Sequence, residues 1–213
     1  MLSIKSFVFN PAQENTYIIY SDAGNAIIID PGCYFGSEQR SVKLFLEEKQ
    51  LKLVKLINTH CHLDHIFGNK WINTTYQLEP HLHPEEEKII AWAPQSALKW
   101  GLTIDQYDGA LHFFNEGDTI SLDEHELSII HLPGHSPGSV GFYHAKDGFI
   151  ISGDVLFKQS IGRTDLPFGD FDTLIDSIKS KLFLLPNDTI VYNGHGSSTT
   201  IGYEKKANPF LVG

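Results

Sequence analysis

Short apolar runs at regular intervals open the chain, and their composition is typical of β-strands. Residues 4–9, 16–20 and 26–29 are rich in β-branched and aromatic side chains, and Asn-Pro and Ala-Gly-Asn turns separate them. Residues 37–50 then place apolar side chains at helical spacing, which predicts an amphipathic helix. The chain is therefore expected to begin as a sheet that is followed by one helix.

A similar pattern returns in the second half of the chain, after a helical and aromatic-rich insert predicted between residues 84 and 107. Two strand-rich halves, each with a helix, indicate two sheets packed together with helices outside, and we expect one domain spanning residues 1–213. The remaining predicted elements are strands at 52–57, 126–131, 140–143, 149–152 and 189–192 and a helix at 172–184.

Composition narrows the class of protein. The 213 residues are 41% hydrophobic and 20% charged, as in an ordinary soluble protein, and the net charge of −10 argues against nucleic acid or an anionic membrane as partner. Two cysteines rule out a disulfide framework, and neither a signal peptide nor an apolar stretch of roughly 20 residues is expected. These features favour a cytoplasmic protein.

The segment Thr59-His60-Cys61-His62-Leu63-Asp64-His65 concentrates metal-binding side chains after the strand predicted at 52–57. Imidazole and carboxylate groups are ligands that zinc prefers, and the carboxyl ends of strands in α/β folds are where ligands bind. We interpret His60, His62, Asp64 and His65 as metal ligands, against the alternative of a solvated polar loop. Cys61 would face away from the metal and is interpreted as structural.

Three single residues farther along complete the candidate site: His135, Asp154 and His195. Each follows a strand-like run and has a glycine beside it, which lets the backbone approach a metal closely. Seven donors exceed what one tetrahedral ion takes, but suit two ions that share a carboxylate and a water. One of His81 or His83 could line the pocket. Structural or solvated roles are otherwise assigned to His81, His83, His112, His125, His131 and His144.

This set of residues resembles the metallo-β-lactamase superfamily, and the resemblance covers nearly the whole chain. Within that superfamily the chain most resembles short bacterial glyoxalase II-like hydrolases. Residues 58–65, 160–165 and 194–196 with 208–210 carry the closer match. The resemblance implies an α/β fold built as a four-layer αββα sandwich.

The resemblance also implies how the donors divide. His60, His62 and His135 would hold one ion, while Asp64, His65 and His195 would hold the other, with Asp154 bridging. Zinc is the expected metal, and iron or manganese are alternatives. True β-lactamases of the superfamily have a cysteine or no ligand at the position of Asp154, which disfavours a lactamase.

The expected reaction is hydrolysis of a thioester by a hydroxide held between the two metals. Metal-bound water has a pKa near 7, and a thiolate leaves without a strong acid. Asp64 would orient the attacking hydroxide. Glutathione thioesters such as S-lactoylglutathione are the expected substrates, although only 18 residues follow His195, where glyoxalase II adds a helical segment that binds glutathione.

Three other functions compete with this hypothesis. A persulfide dioxygenase would use a single iron on His60, His135 and Asp154, and its relatives share the Asn-Thr-His-Cys-His and Gly-Arg-Thr-Asp motifs. A lactonase would use the same two metals. A non-catalytic module with a structural zinc is the third alternative, but it needs only four ligands.

Two further residues have two interpretations each. Asp30 either accepts the free N–H of a ligand histidine or simply forms the turn Asp30-Pro31-Gly32. Arg163 either binds a substrate carboxylate or forms an ion pair with Asp165 or Asp170, and the ion pair is favoured.

Overall fold

The structure is a computed structural model that describes residues 1–212. The strands are β1 Ser3–Phe9, β2 Glu14–Tyr20, β3 Asn25–Ile29, β4 Lys52–Ile57, β5 Pro80–Leu82, β6 His112–Phe113, β7 Thr119–Leu122, β8 His125–His131, β9 Val140–His144, β10 Phe149–Gly153, β11 Leu156–Phe157, β12 Ser160–Ile161, β13 Ile190–Asn193 and β14 Thr199–Thr200. The α-helices are α1 Gly36–Lys49, α2 Leu63–Ile66, α3 Asn69–Tyr76, α4 Glu87–Trp100, α5 Phe171–Ser180 and α6 Ile201–Ala207.

Two six-stranded sheets face each other. One has the strand order β1-β2-β3-β4-β5-β6, and the other has β14-β13-β10-β9-β8-β7. The core between them joins side chains such as Ile19 and Ile27 of the first sheet to Ile129 and Phe142 of the second. Burial of this apolar surface is the main force that holds the sheets together.

Helices cover the outer face of each sheet. On the first sheet, Val42 of α1 packs in one cluster with Ile28 of β3, and on the second, Leu174 of α5 packs with Ile150 of β10. The architecture is therefore the expected four-layer αββα sandwich. The interpretation of residues 1–213 as a single domain stays a prediction.

Strand β3 shows why an uninterrupted apolar run forms a strand here. Ile27 and Ile29 point into the core between the sheets, whereas Ile28 points toward the helices. Since successive side chains alternate between the two faces, a strand buried on both sides is apolar throughout. The neighbouring parallel strand β4 ends at Ile57 and delivers residues 58–62 to the edge of the sheet.

The helix predicted at 37–50 is α1, with its bounds shifted by one residue, but the other two predicted helical segments are shorter in the structure. The helix predicted at 172–184 is α5 followed by a short 3-10 helix at Leu182–Leu184. The insert forms α4, which ends where Gly101 takes the left-handed conformation with φ +67° and so leaves residues 102–107 outside the helix. None of the helices in residues 1–212 is long and apolar enough to cross a membrane.

Candidate metal centre

The seven proposed ligands converge at one edge of the two sheets. His60 and His62 follow β4, and Asp64 with His65 lies on α2, which starts directly after His62. The second sheet supplies the others: His135 follows β8, Asp154 follows β10, and His195 follows β13. Strand ends from both sheets thus bring together residues up to 135 positions apart in the sequence.

Three imidazoles form a first group. Nε2 of His135 lies 2.8 Å from Nδ1 of His62 and 3.2 Å from Nε2 of His60. Ring nitrogens at these distances either share a proton or direct their lone pairs at a common cation. A compact set of three inward-facing imidazoles is a suitable set of ligands for a divalent metal.

A carboxylate and two imidazoles form a second group. Oδ2 of Asp64 lies 3.1 Å from Nε2 of His195 and 3.7 Å from Nε2 of His65. The side chains of Asp64 and His195 are partly exposed, whereas that of His65 is buried. This second group therefore lies at the solvent-facing side of the centre.

Asp154 lies between the two groups. Its Oδ2 is 3.6 Å from Nε2 of His135 in the first group and 3.4 Å from Nε2 of His195 in the second. Its Oδ1 is 3.5 Å from Nε2 of His65. One carboxylate can therefore reach cations on both sides, which is the geometry required of a bridging ligand.

In His135 and His195, the ring nitrogen that points away from the centre donates to a backbone carbonyl, so the other ring nitrogen faces the centre. Nδ1 of His135 donates to the carbonyl of Arg163 at 2.7 Å, and Nδ1 of His195 donates to the carbonyl of Ala12 at 3.1 Å. A carbonyl oxygen only accepts, which places the proton on Nδ1 and leaves Nε2 free to ligate.

Asp30 orients two more histidines. It accepts from Nδ1 of His65 at 3.1 Å and from the backbone N–H of Thr59 at 2.6 Å. The Thr59 hydroxyl also donates to Asp30 and lies 3.1 Å from Nδ1 of His60. Of its two interpretations, the structure therefore supports the carboxylate that fixes ligand histidines, although Asp30 also adopts the turn conformation with φ +50°.

Burial keeps the first group neutral. Desolvation, reinforced by the neighbouring imidazoles, lowers the pKa of His60 well below its usual value, and desolvation lowers the pKa of His62 to about 3. Burial also lowers the pKa of His135. Neutral imidazole is the form that binds metals, so protons compete weakly for this group.

In the second group, neighbouring carboxylates favour the protonated form of the histidines. Burial opposes a charge on His65, but the carboxylates of Asp64 and Asp154 raise its pKa well above the usual value. Burial likewise opposes a charge on His195, yet hydrogen bonds to Asp154 and Asp64 raise its pKa to about 10. Protons on these imidazoles thus supply the positive charge that a cation would otherwise provide.

Two further features fit a metal. Nε2 of His65 and Oδ1 of Asp154 are buried and have no hydrogen-bond partner within residues 1–212, which is costly unless a cation engages them. At Gly194 an added Cβ would lie 2.0 Å from Oδ1 of Asp154 and 2.7 Å from Cε1 of His65. Glycine therefore keeps the space between these ligands open.

The family model of the metallo-β-lactamase superfamily matches residues 9–195, a span that ends at the last of the seven residues. The chain belongs to the metallo-β-lactamase superfamily. Its fold is that of this superfamily.

Individual members of the superfamily are similar over almost their full length. Hydroxyacylglutathione hydrolase GloC from Haemophilus influenzae is 42% identical over 201 residues, which is 93% of each chain. The crystal structure of BLEG-1, a B3 metallo-beta-lactamase, has a TM-score of 0.90 and 38% identity and covers 99% of this chain and 100% of its own. TTHA1623, solved in a di-iron-bound form, has a TM-score of 0.88 and 35% identity, covering 97% and 100%.

A buried glutamate, Glu86, connects the loop that carries His60 and His62 with the loop that carries His135, and the sequence does not reveal this role. Glu86 accepts from the backbone N–H of Cys61 at 2.7 Å, between His60 and His62. Its other oxygen accepts from the N–H of Gly138 at 2.7 Å and from the Ser136 hydroxyl, next to His135. The only sequence signal was a run of three glutamates at 85–87, which does not reveal that the middle one is buried.

Contacts and burial in the structure bear on the interpretations of Arg163, Cys61, His81 and His83. Arg163 forms the favoured ion pair, with Nε and Nη2 donating to Asp165 at 2.8 and 2.7 Å. Cys61 is buried, in agreement with a structural role. His81 and His83 stack on His112 and His131, and neither is among the described residues that line the cavity in front of the centre.

That cavity has a volume of about 1100 Å³ and reaches the centre at His62, Asp64, His135, Asp154 and His195. The lining of the cavity also includes apolar side chains, six of which are hereafter called the apolar wall. The apolar wall consists of Leu63, Phe67, Ile89, Trp92, Trp100 and Leu102.

Proposed function

We propose that this protein is a binuclear metal-dependent hydrolase that cleaves thioesters of the hydroxyacylglutathione type in the cytoplasm. The observation that carries the proposal is the position of Asp154, whose carboxylate lies 3.4 to 3.6 Å from histidine nitrogens of both groups. A centre for one ion would leave the carboxylate and imidazoles of the other group without a function.

The donor set suggests two sites. His60, His62 and His135 would hold one divalent ion, and Asp64, His65 and His195 would hold the second, with Asp154 shared. When bound, two such ions lower the pKa of water to near 7 and polarise a carbonyl oxygen. Zinc suits the imidazole-rich set, and iron or manganese also accept these ligands.

The side chains then position the reaction. Asp64 lines the cavity, with Oδ2 3.1 Å from Nε2 of His195, and its carboxylate can accept a hydrogen bond from the attacking water and direct that water at the carbonyl. Buried Asp30 and Glu86 hold the ligand histidines and their loops in place, so that little reorganisation is needed during the reaction.

Leaving-group chemistry favours a thioester. A thiol has a pKa of roughly 8.5, so its thiolate departs without help from a strong acid, whereas an amine does not. The 42% identity to hydroxyacylglutathione hydrolase GloC supports the same substrate class here.

The test is metal analysis combined with four assays on the purified protein. We expect two metal ions per chain and thiol release from S-lactoylglutathione. One iron per chain with oxygen uptake on glutathione persulfide would replace the proposal with a dioxygenase. Because the chain is similar to BLEG-1, nitrocefin is also assayed, and its turnover would indicate a β-lactamase. Turnover of a homoserine lactone without thiol release would indicate a lactonase. Metal binding with no turnover would favour a binding module.

A further inference from the structure

The apolar wall is larger than a lactoyl group needs. Leu63 stands between His62 and Asp64 in the sequence, so the apolar wall begins directly beside the proposed metal ligands. It continues along α4 through Ile89 and Trp92 to Trp100. An acyl group whose carbonyl lies at the centre would therefore extend over apolar side chains, in a cavity of about 1100 Å³.

Core packing accounts for only the buried part of this surface. Leu63, Phe67 and Ile89 belong to one core cluster with Ile90, Ala93 and Ala97, and Leu102 packs against that cluster. Trp100 lies outside that cluster, is 61% exposed and lines the cavity. Such a large exposed aromatic beside a polar centre is typical of a ligand-binding surface.

Positive charge lies at the same cavity. Nζ of Lys99 sits 4.5 Å from the ring centroid of Trp92, and Lys158 projects from the turn between β11 and β12. Neither is among the ion-paired lysines of residues 1–212, which are Lys43, Lys70, Lys88 and Lys181. In a protein with a net charge of −10, two unneutralised lysines at one cavity favour an anionic ligand.

We propose that the preferred substrates are thioesters with an apolar acyl group larger than lactoyl, such as a medium-length alkanoyl or an arylacetyl group, on an anionic thiol. The acyl group lies on the apolar wall, and Lys99 and Lys158 attract the carboxylates of the thiol carrier. This inference rests on the proposed function and specifies its substrate class.

The first measurement is kcat/KM of the zinc-loaded enzyme with lactoyl, butanoyl, hexanoyl and phenylacetyl thioesters of glutathione. Each methylene transferred from water to the apolar wall increases kcat/KM by up to about fourfold. We expect hexanoyl and phenylacetyl thioesters to exceed the lactoyl thioester by tenfold or more. Equal values, or a fall with acyl size, would overturn the inference.

The second measurement separates binding from hydrolysis. S-methylglutathione and S-hexylglutathione are not cleaved, and two of the chain's three tryptophans line the cavity, so fluorescence reports their binding. We expect S-hexylglutathione to bind the zinc-loaded enzyme at least tenfold more tightly. That result without hydrolysis of any thioester would reject the proposed function but keep the apolar binding site, and equal affinities would reject the site.

Variants of α4 give the matched control. Trp100→Ala should lower kcat/KM for the hexanoyl thioester about tenfold more than kcat/KM for the lactoyl thioester. Leu98→Ala removes a side chain that is 79% exposed on the same helix but does not line the cavity, so both substrates should be unaffected. The inference fails if Trp100→Ala keeps the preference for hexanoyl, or if Leu98→Ala loses it equally.

Discussion

The two sides of the cavity are built from different kinds of contact. On the metal-facing side, four of the five histidines of the centre contact oxygen atoms that orient them, such as those of Asp30 and the Arg163 carbonyl, and Glu86 links two of the loops. On the apolar wall, Leu63, Phe67 and Ile89 pack in a buried apolar cluster, and Nζ of Lys99 lies over the ring of Trp92. Directional hydrogen bonds fix ligands within tenths of an ångström, whereas apolar contacts tolerate change.

We therefore expect the metal-facing side to determine reactivity and the apolar wall to determine selectivity between substrates. Substitutions on the metal-facing side should affect every substrate, because they alter the centre itself. Substitutions on the apolar wall should affect substrates according to their acyl group. The following predictions test the metal-facing side in order of decreasing effect.

The largest effect is expected from Asp154→Ala. Its removal takes a ligand from both groups, so metal content should fall below two ions per chain and kcat should drop about 10³-fold or more. Elemental analysis and a thiol-release assay measure both quantities. Asp188→Ala, at an exposed aspartate far along the chain, serves as the control. Retention of two ions and of normal turnover in Asp154→Ala would remove the bridging role.

Glu86→Ala should mainly lower the free energy of unfolding, because Glu86 is not itself one of the proposed metal ligands. Burial raises the pKa of Glu86, so its removal relieves a desolvation cost, but it also leaves three donors at Cys61, Ser136 and Gly138 without a partner. We expect the free energy of unfolding to fall by about 3 kcal/mol, measured by urea denaturation.

Glu85→Ala is the matched control for that variant, because Glu85 is the exposed neighbour and pairs only with Lys88. It should unfold at the same urea concentration as the unaltered protein. Equal stability of the two variants would mean that Glu86 does not hold the ligand loops.

Asp30→Asn should weaken metal binding without disturbing the backbone. Asparagine tolerates the φ of +50° at this position, but one of its two terminal atoms no longer accepts from Thr59 or His65. Loss of such a supporting acceptor lowers metal affinity roughly 10- to 100-fold. Competition with a chromophoric chelator gives the affinity. Asp22→Asn, at an exposed aspartate, should leave it unchanged, and unaltered affinity in Asp30→Asn would contradict the orienting role.

The smallest effect is expected from Arg163→Ala. The guanidinium is half exposed and is engaged by both oxygens of Asp165, so it is not free to bind a substrate carboxylate. We expect KM for S-lactoylglutathione to change less than about fivefold, as for loss of an exposed ion pair. A much larger rise in KM, absent for thioesters without carboxylates, would instead assign substrate binding to Arg163.

The metal-facing side could be predicted from sequence because its residues carry distinctive chemistry. His60, His62, Asp64 and His65 stand together after a recognisable strand, and all seven proposed ligands converge in the structure. Their role as ligands stays a prediction. The sandwich could be predicted as well, since uninterrupted apolar runs such as Ile27–Ile29 are typical of strands that are buried on both faces.

Glu86 and the exposed position of Trp100 could not be predicted in the same way. Glu86 differs from Glu85 and Glu87 only in the direction that the chain gives its side chain at the start of α4. In the sequence Trp100 looks like any core tryptophan, and only the structure shows that it is 61% exposed and lines the cavity. Two-residue strands such as β6 and β14 are too short to show a period.

Anomalous diffraction from crystals of the zinc-loaded protein tests the central claim most directly. We expect two metal peaks about 3.5–4 Å apart, with Asp154 bonded to both. One peak should contact His60, His62 and His135, and the other Asp64, His65 and His195. A single ion held by His60, His135 and Asp154 alone would contradict the two-metal hydrolase.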